Sequence, residues 1–143
     1  MDARWSRQRF AETRVARLAT ADASGRPHLV PIVFALVGDD LCTVVDAKPK
    51  SGAPLRRLDN IRVNSSVTVL VDHYADDWDA LWWARADGTA RILEAGDPAA
   101  AAPLAALTER YPQYRATPPP GPLVVVAVDR WTGWRAGDPD RSP

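Results

Sequence analysis

Between Val44 and Asn64 the chain reads VVDAKPKSGAPLRRLDNIRVN. From Lys48 onward this run carries five cations, Lys48, Lys50, Arg56, Arg57 and Arg62, against a single carboxylate, Asp59. Over the whole chain the 18 basic and 18 acidic side chains cancel, so the local excess stands out. An apolar strand leading through a small-residue loop (Ser51, Gly52, Ala53) into a helix is an arrangement that suits a phosphate. Lysine supplies a point charge, arginine a bidentate fork, and a helix N-terminus its free N–H groups. Glycine lets a ligand approach the backbone. The competing reading is a solvated basic helix face, and the small-residue loop favours binding over it. Ser51 fits an N-cap or a phosphate ligand, and its nearness to Lys50 does not make it a nucleophile.

The second unusual feature is aromatic. Trp78, Trp82 and Trp83 lie in and after an acidic loop, and Trp131 and Trp134 near the end of the chain. Such tryptophans most often fill cores or interfaces, but they also stack on planar heterocycles. Joined to a cationic cradle, they suggest a ligand with both a flat ring system and phosphate. There is no GxSxG, HExxH, Walker loop or GxGxxG. His28 and His73 share no motif. Asp72, Asp76, Asp77 and Asp79 fit no calcium-loop spacing, and read as a solvated loop. Cys42, the sole cysteine, excludes an intrachain disulfide and any multi-cysteine metal site, and its apolar surroundings suggest an inert buried thiol. A chain short of nucleophiles and acid–base groups suits chemistry carried by a cofactor.

The elements that must position these residues follow from the pattern. A short helix is expected over Trp5–Thr13, with Ser6 as its cap. Val15–Ala21 reads as a first strand, residues 22–26 as a turn, and His28–Val37 as a second strand buried on both faces. Pro31 inside it suggests an edge or a bulge. Leu41–Asp46 is the third strand, and the three make an antiparallel meander. A helix over Gly52–Val63 would turn Leu55, Leu58 and Ile61 to the core and leave Arg56, Arg57 and Arg62 more exposed. Val67–Tyr74 is a fourth strand, Ala75–Ala80 a loop, and Leu81–Ala95 is strand-like, with Asp87-Gly88 either a hairpin turn or a bulge. Asp97-Pro98 opens an Ala-rich helix ending near Tyr111, residues 117–122 form a stiff connector, and Leu123–Trp134 is the last strand. About six closely spaced strands with two to three connecting helices give a mainly β (α+β) fold, a closed or nearly closed antiparallel barrel.

At 143 residues the chain reads as one domain, 1–143, with a frayed tail over 136–143. Balanced charge argues against a general nucleic-acid binder. The N-terminus shows no signal-peptide pattern and no apolar run reaches the ~18 residues of a membrane span, so the expectation is a cytoplasmic protein with no membrane partner.

Four stretches carry a resemblance: RVARLATADASGRPHLVPIVFAL (Arg14–Leu36), DAKPK (Asp46–Lys50), LRRLDNIRVNSSVTVLVDHY (Leu55–Tyr74) and DWDALWWARADGTARIL (Asp77–Leu93). With them the chain resembles the split β-barrel flavin and deazaflavin oxidoreductases related to pyridoxamine phosphate oxidase, and within these the actinobacterial PPOX-class F-420-dependent group. The likeness runs to about Gly133; the first stretch is common to the wider superfamily, whereas DAKPK followed by RRLxNI and the LWW run is more specific. It implies an FMN-binding-type split barrel, a homodimer with cofactor sites at the subunit interface, and coenzyme F-420 (an 8-hydroxy-5-deazaflavin) as cofactor, with FMN as the alternative. It implies hydride transfer to an electron-poor small molecule, or, alternatively, a non-catalytic deazaflavin carrier. Carried over by position, the backbone around Pro31, Val33 and Phe34 would lie near the ring, and Thr43, Val44, Val45 and Asp46 would flank the side chain of the cofactor. Lys48, Lys50, Arg56 and Arg57 would hold the phosphate and acidic tail. Trp78, Trp82 and Trp83 would come from the partner subunit. The resemblance names neither the substrate nor a proton donor.

Overall fold

In a computed structural model that describes residues 1–45 and 55–138, the chain forms seven strands and four α-helices. In order they are α1 (Ala3–Glu12), β1 (Val15–Ala21), β2 (Pro27–Val33), β3 (Ala35–Val37), β4 (Asp40–Val44), α2 (Arg56–Val63), β5 (Ser66–His73), β6 (Trp82–Leu93), α3 (Ala101–Arg110), α4 (Pro112–Ala116) and β7 (Leu123–Arg135). Single 3₁₀ turns at Trp78–Ala80 and Pro98–Ala100 precede β6 and α3.

The strands form one sheet in the order β2-β1-β5-β6-β7-β4-β3, with every pairing antiparallel. β2 and β3 lie at opposite edges, yet a single residue, Phe34, joins them. A sheet whose two edges are one residue apart must curl upon itself. The hydroxyl of Thr43 in β4 fastens the join by donating to the Val33 carbonyl at 2.8 Å.

This corrects three expectations. The run 28–37 is two strands, not one. The strands expected over 15–21, 28–37 and 41–46 are not one antiparallel meander, because the chain changes edges at Phe34 and leaves β1 with β2 at one side of the sheet and β3 with β4 at the other. Nor is β2 buried on both faces: Leu29 is 65% exposed and the strand is exposed at alternate positions. The edge position suggested by Pro31 does hold; it pairs with Arg17 of β1 on one side alone.

Two apolar layers result. Inside the curl, Leu18, Val67, Val69, Val71, Val124 and Val126 meet Phe10 of α1 and Phe34. Outside it, Leu107, Tyr111 and Tyr114 of the α3–α4 segment cover Ala35, Cys42, Leu123 and Val125. α1 lies close against β7 because position 133 is glycine. A Cβ there would come 2.5 Å from Ser6 Oγ and 2.6 Å from the Trp5 ring. Ser6 is consequently buried and donates to the Asp2 carbonyl. The helix cap is Asp2, whose carboxylate accepts the Trp5 N–H at 2.8 Å, rather than Ser6.

Other local expectations are met. Asp22 folds the 22–26 turn by accepting the N–H groups of Ser24 and Arg26. The Arg26 contact holds its carboxyl below the usual range. Asp97 accepts the Ala99 N–H with Pro98 at the first position. Asp87-Gly88 is a bulge in one long strand, not a hairpin turn, with the register shift lying against β7. Leu58 and Ile61 of α2 are buried and Leu55 packs on the core, while Arg56 and Arg62 are exposed. The same helix also buries Asn60, whose amide donates to Thr20 Oγ1 at 3.0 Å and so anchors α2 to β1.

Candidate cofactor site

Where β2 ends beside β4, a cleft of about 240 Å³ opens. Pro31, Ile32 and Val33 form one wall and Thr43 and Val44 another, and Val15, Arg57 and Tyr114 complete the lining. Apolar walls with one guanidinium suit a flat ring carrying an anionic arm. The Thr43 hydroxyl is already spent on Val33, so it shapes the cleft more than it offers a donor. A ligand pocket typically measures about 300–1,000 Å³, so this cleft is the size of part of a site.

Of the residues singled out from sequence, the fold brings Pro31, Val33, Thr43, Val44 and Arg57 to this one cleft. Arg56 lies exposed on the same helix as Arg57. Asp46, Lys48, Lys50 and Ser51 lie outside the described residues. Phe34 is fully buried, its ring edge-on to Phe10 at 5.8 Å. Both of its backbone groups are engaged: the N–H donates to the Tyr111 hydroxyl at 3.1 Å, and the carbonyl accepts from Arg110 at 2.9 Å. Val45 is buried in the inner layer and its N–H donates to the Pro122 carbonyl.

None of the tryptophans Trp78, Trp82 and Trp83 lines this cleft. Trp82 packs on the inner layer, edge-on to Trp5 at 6.2 Å. Trp78 is 76% exposed. Trp83 projects from the outer face of β6, where the Arg85 guanidinium lies 5.5 Å from its ring centre. Trp131 fills the inner layer against Phe10 at 5.3 Å. His28 and His73 stand apart from the cleft, and no group of acidic, histidine or cysteine side chains among the described residues could hold a metal ion. Cys42 is fully buried and burial pushes its thiol up to about 11.

Sequence reasoning missed Tyr111 and Tyr114. Tyr111 closes the corner between β1, the β2–β3 join and α3. Its hydroxyl lies 2.8 Å from the carbonyls of both Arg14 and Phe34. Tyr114 stacks edge-on to it at 5.9 Å and faces the cleft. Their i, i+3 spacing beyond an Ala-rich helix was the available signal.

Among the described residues no helix lies over the outer face of β2, β1, β5 and β6. Val15, Leu29 and Tyr74 are exposed on this side at 41%, 65% and 62%. Its charges are arranged in pairs, Arg85 with Asp87 at 3.1 Å and Arg17 with Asp72 at 4.0 Å. Two polar atoms of β7 at its margin, Thr132 Oγ1 and Trp134 Nε1, are buried without a partner among the described residues. Buried polar groups usually find one.

Comparison with known proteins agrees with this geometry. The pyridoxamine 5′-phosphate oxidase family model matches residues 6–135. The chain belongs to that family. Among solved structures it is similar to an FAD-binding protein from Mesorhizobium loti (19% identity, 93% of this chain and 94% of that one, TM-score 0.73). It is similar also to HutZ, the heme storage protein of Vibrio cholerae (19% identity, 96% of each chain, TM-score 0.71). A conserved hypothetical protein from Mycobacterium tuberculosis matches at 22% identity over 100% of this chain and 92% of that one, with a TM-score of 0.73. Identities this low establish the shared split-barrel fold. No curated protein matches in sequence.

Proposed function

We propose that the protein is a coenzyme F-420-dependent oxidoreductase acting as a homodimer. The carrying observation is the cleft in which Pro31, Val33, Thr43, Val44 and Arg57 converge. The run that follows Val45 in sequence holds Lys48 and Lys50, the only lysines in the chain. The apolar walls would take the ring, and Arg57 with the two lysines would take phosphate and an acidic tail. Several cations spread along the chain suit a polyanionic tail better than one bidentate clamp would, which favours the deazaflavin over FMN.

When bound, the reduced deazaflavin supplies a hydride for an electron-poor C=C or C=N bond. The chain's own part is to hold and orient the ring between β2 and β4, to exclude water and to neutralise the anionic arm. No described side chain in the cleft is an evident proton donor, so the proton is assigned to solvent. The cleft's small size and the uncovered outer face support a second copy closing the site. Trp78 and Trp83, whose rings are not buried in their own subunit, are the tryptophans available for that role.

A heme-binding reading, suggested by the relative from Vibrio cholerae, is less well supported. Heme iron takes an axial His, Cys, Met or Tyr, and the described lining offers Tyr114 alone.

Parallel fluorescence titrations with coenzyme F-420 and FMN test the proposal. Saturable binding of F-420 at micromolar or tighter affinity is expected, weakened at least tenfold in Lys48→Ala/Lys50→Ala. Each buried charge-assisted contact is worth about 1.5–3 kcal/mol. Preference for FMN would reassign the cofactor, and binding of neither would overturn the reading. Oxidation of the reduced cofactor by candidate acceptors separates an enzyme from a carrier.

A further inference from the structure

On the other side of Tyr111 from the cofactor cleft, a larger hollow of about 570 Å³ opens between α1, β3 and α3. Arg7, Arg14 and Arg110 line it with Glu109, over a floor that includes Ala35 and Leu36. The fold collects these residues from distant parts of the sequence: Arg14 donates to the Arg110 carbonyl at 2.7 Å across 96 positions. Arg110 is half-buried and donates to the carbonyls of Phe34, Ala11 and Thr13. Burial, followed by repulsion from Arg14, holds its guanidinium below the usual arginine range.

Neither Arg14 nor Arg110 makes an ion pair among the described residues; Arg7 reaches Asp39 only at 3.9 Å, and Glu109 pairs with none of the three. The bland reading is that the arginines are caps, since the C-terminal ends of α1 and α3 converge here and favour cations. That accounts for Arg110, whose fork is spent on carbonyls. Arg14 adds to that cap by donating to the Arg110 carbonyl, and Arg7 is tethered to the Gly38 carbonyl. Each of these contacts, however, engages one end of a guanidinium that carries five N–H donors. Both groups line the open space beside Glu109, which makes no ion pair among the described residues. Guanidinium groups with donors to spare are matched in geometry by carboxylate and phosphate oxygens.

We infer that this hollow is a second anion site, distinct from the cofactor cleft, which binds a small carboxylate- or phosphate-bearing molecule on Arg14 and Arg7. It does not depend on the cofactor assignment. Because Arg14 adjoins Val15 of the cleft, and Tyr111 ties the Arg14 carbonyl to the β2–β3 join, an anion seated here lies against the wall of the cofactor cleft.

Isothermal titration of the full chain with inorganic pyrophosphate, and separately with citrate, tests the site and distinguishes the two sources of oxyanion. Saturable binding of at least one probe is expected, weakening as salt is raised. Arg14→Gln and Arg7→Gln should each weaken it about tenfold, whereas Glu109→Gln, which removes the resident carboxylate, should tighten it severalfold. Lys48→Ala/Lys50→Ala should leave it unchanged, so failure here and failure of the cofactor reading are separable. Absence of saturable binding of both probes would overturn the inference. So would an Arg14→Gln protein that binds like wild type, or loss confined to the lysine variant. Should the arginine variants prove unstable, the sign of the Glu109→Gln effect decides, and unchanged or weaker binding there also counts against the site.

Discussion

Two apolar runs of similar composition meet opposite fates. Leu123–Val126 of β7 is sealed on both faces, with exposures of 0%, 1%, 1% and 0%, between the inner layer and the α3–α4 cover. Leu29–Val33 of β2 is covered on its inner face, while on its outer face Val33 packs against the α3–α4 cover and Leu29 stands 65% exposed. A continuous apolar strand left half open is expensive in water, at roughly 25 cal/mol per Å² of apolar surface. The contrast fits the proposal that the second run is covered by a cofactor or a second copy of the chain. The first run serves stability; the second faces the cleft and the uncovered sheet.

The contrast breaks most sharply at the sealed end. Leu107→Ala removes a fully buried side chain from the cover over β4 and β7. It should cost about 2–5 kcal/mol, read as a fall in denaturation midpoint. A loss below about 1 kcal/mol would mean that α3 is only loosely attached.

The thiol of Cys42 offers a pH probe of the same region. Its pKa is raised from 9.0 to about 11 in the folded chain by burial. The unfolded chain therefore releases this proton first as pH rises. The stabilisation is full below pH 9 and is lost progressively as pH climbs through about 11, a swing of order 2 kcal/mol. Denaturant titrations across this window should show the fall, and Cys42→Ala should flatten it. Alkylation of the folded protein at pH 8 should be correspondingly slow, and rapid alkylation would contradict the sealed layer.

At the corner between the two regions, Tyr111→Phe leaves the Phe34 N–H without its acceptor. A loss of about 1–3 kcal/mol is expected, with weaker cofactor binding because Tyr111 holds the wall of the cleft. Unchanged stability would show that the corner relaxes without the hydroxyl. The smallest effect on folding belongs to the open run. Leu29→Glu should change the stability of the chain by less than about 0.5 kcal/mol, yet abolish the proposed self-association in light scattering. A variant that unfolds, or one that stays dimeric, would remove the distinction between the regions.

Much of this organisation is legible in the residues. β1 occupies the expected Val15–Ala21, and the Asp97-Pro98 start of the Ala-rich segment is confirmed by a side-chain cap. The 28–37 run misled because apolar content does not reveal whether the cover comes from the same chain, and because the switch of edge at Phe34 depends on Thr43 and Tyr111, far along the sequence. Ser6 and Asp2 are both good capping residues, and the close approach of α1 to Gly133, which buries Ser6, decides between them. Pro31, Val33, Thr43, Val44 and Arg57, which the resemblance placed near a cofactor, share one cleft, whereas Tyr114 and the hollow at Arg14 and Arg110 depend on tertiary packing that no local pattern encodes.

Hydrogen–deuterium exchange with and without saturating coenzyme F-420 tests the central contrast most directly. Slowed exchange is expected in β2 and β4, with Leu123–Val126, already sealed, unchanged. Saturable binding that leaves β2 and β4 unprotected while slowing exchange elsewhere would contradict the assignment of the open run to the cofactor.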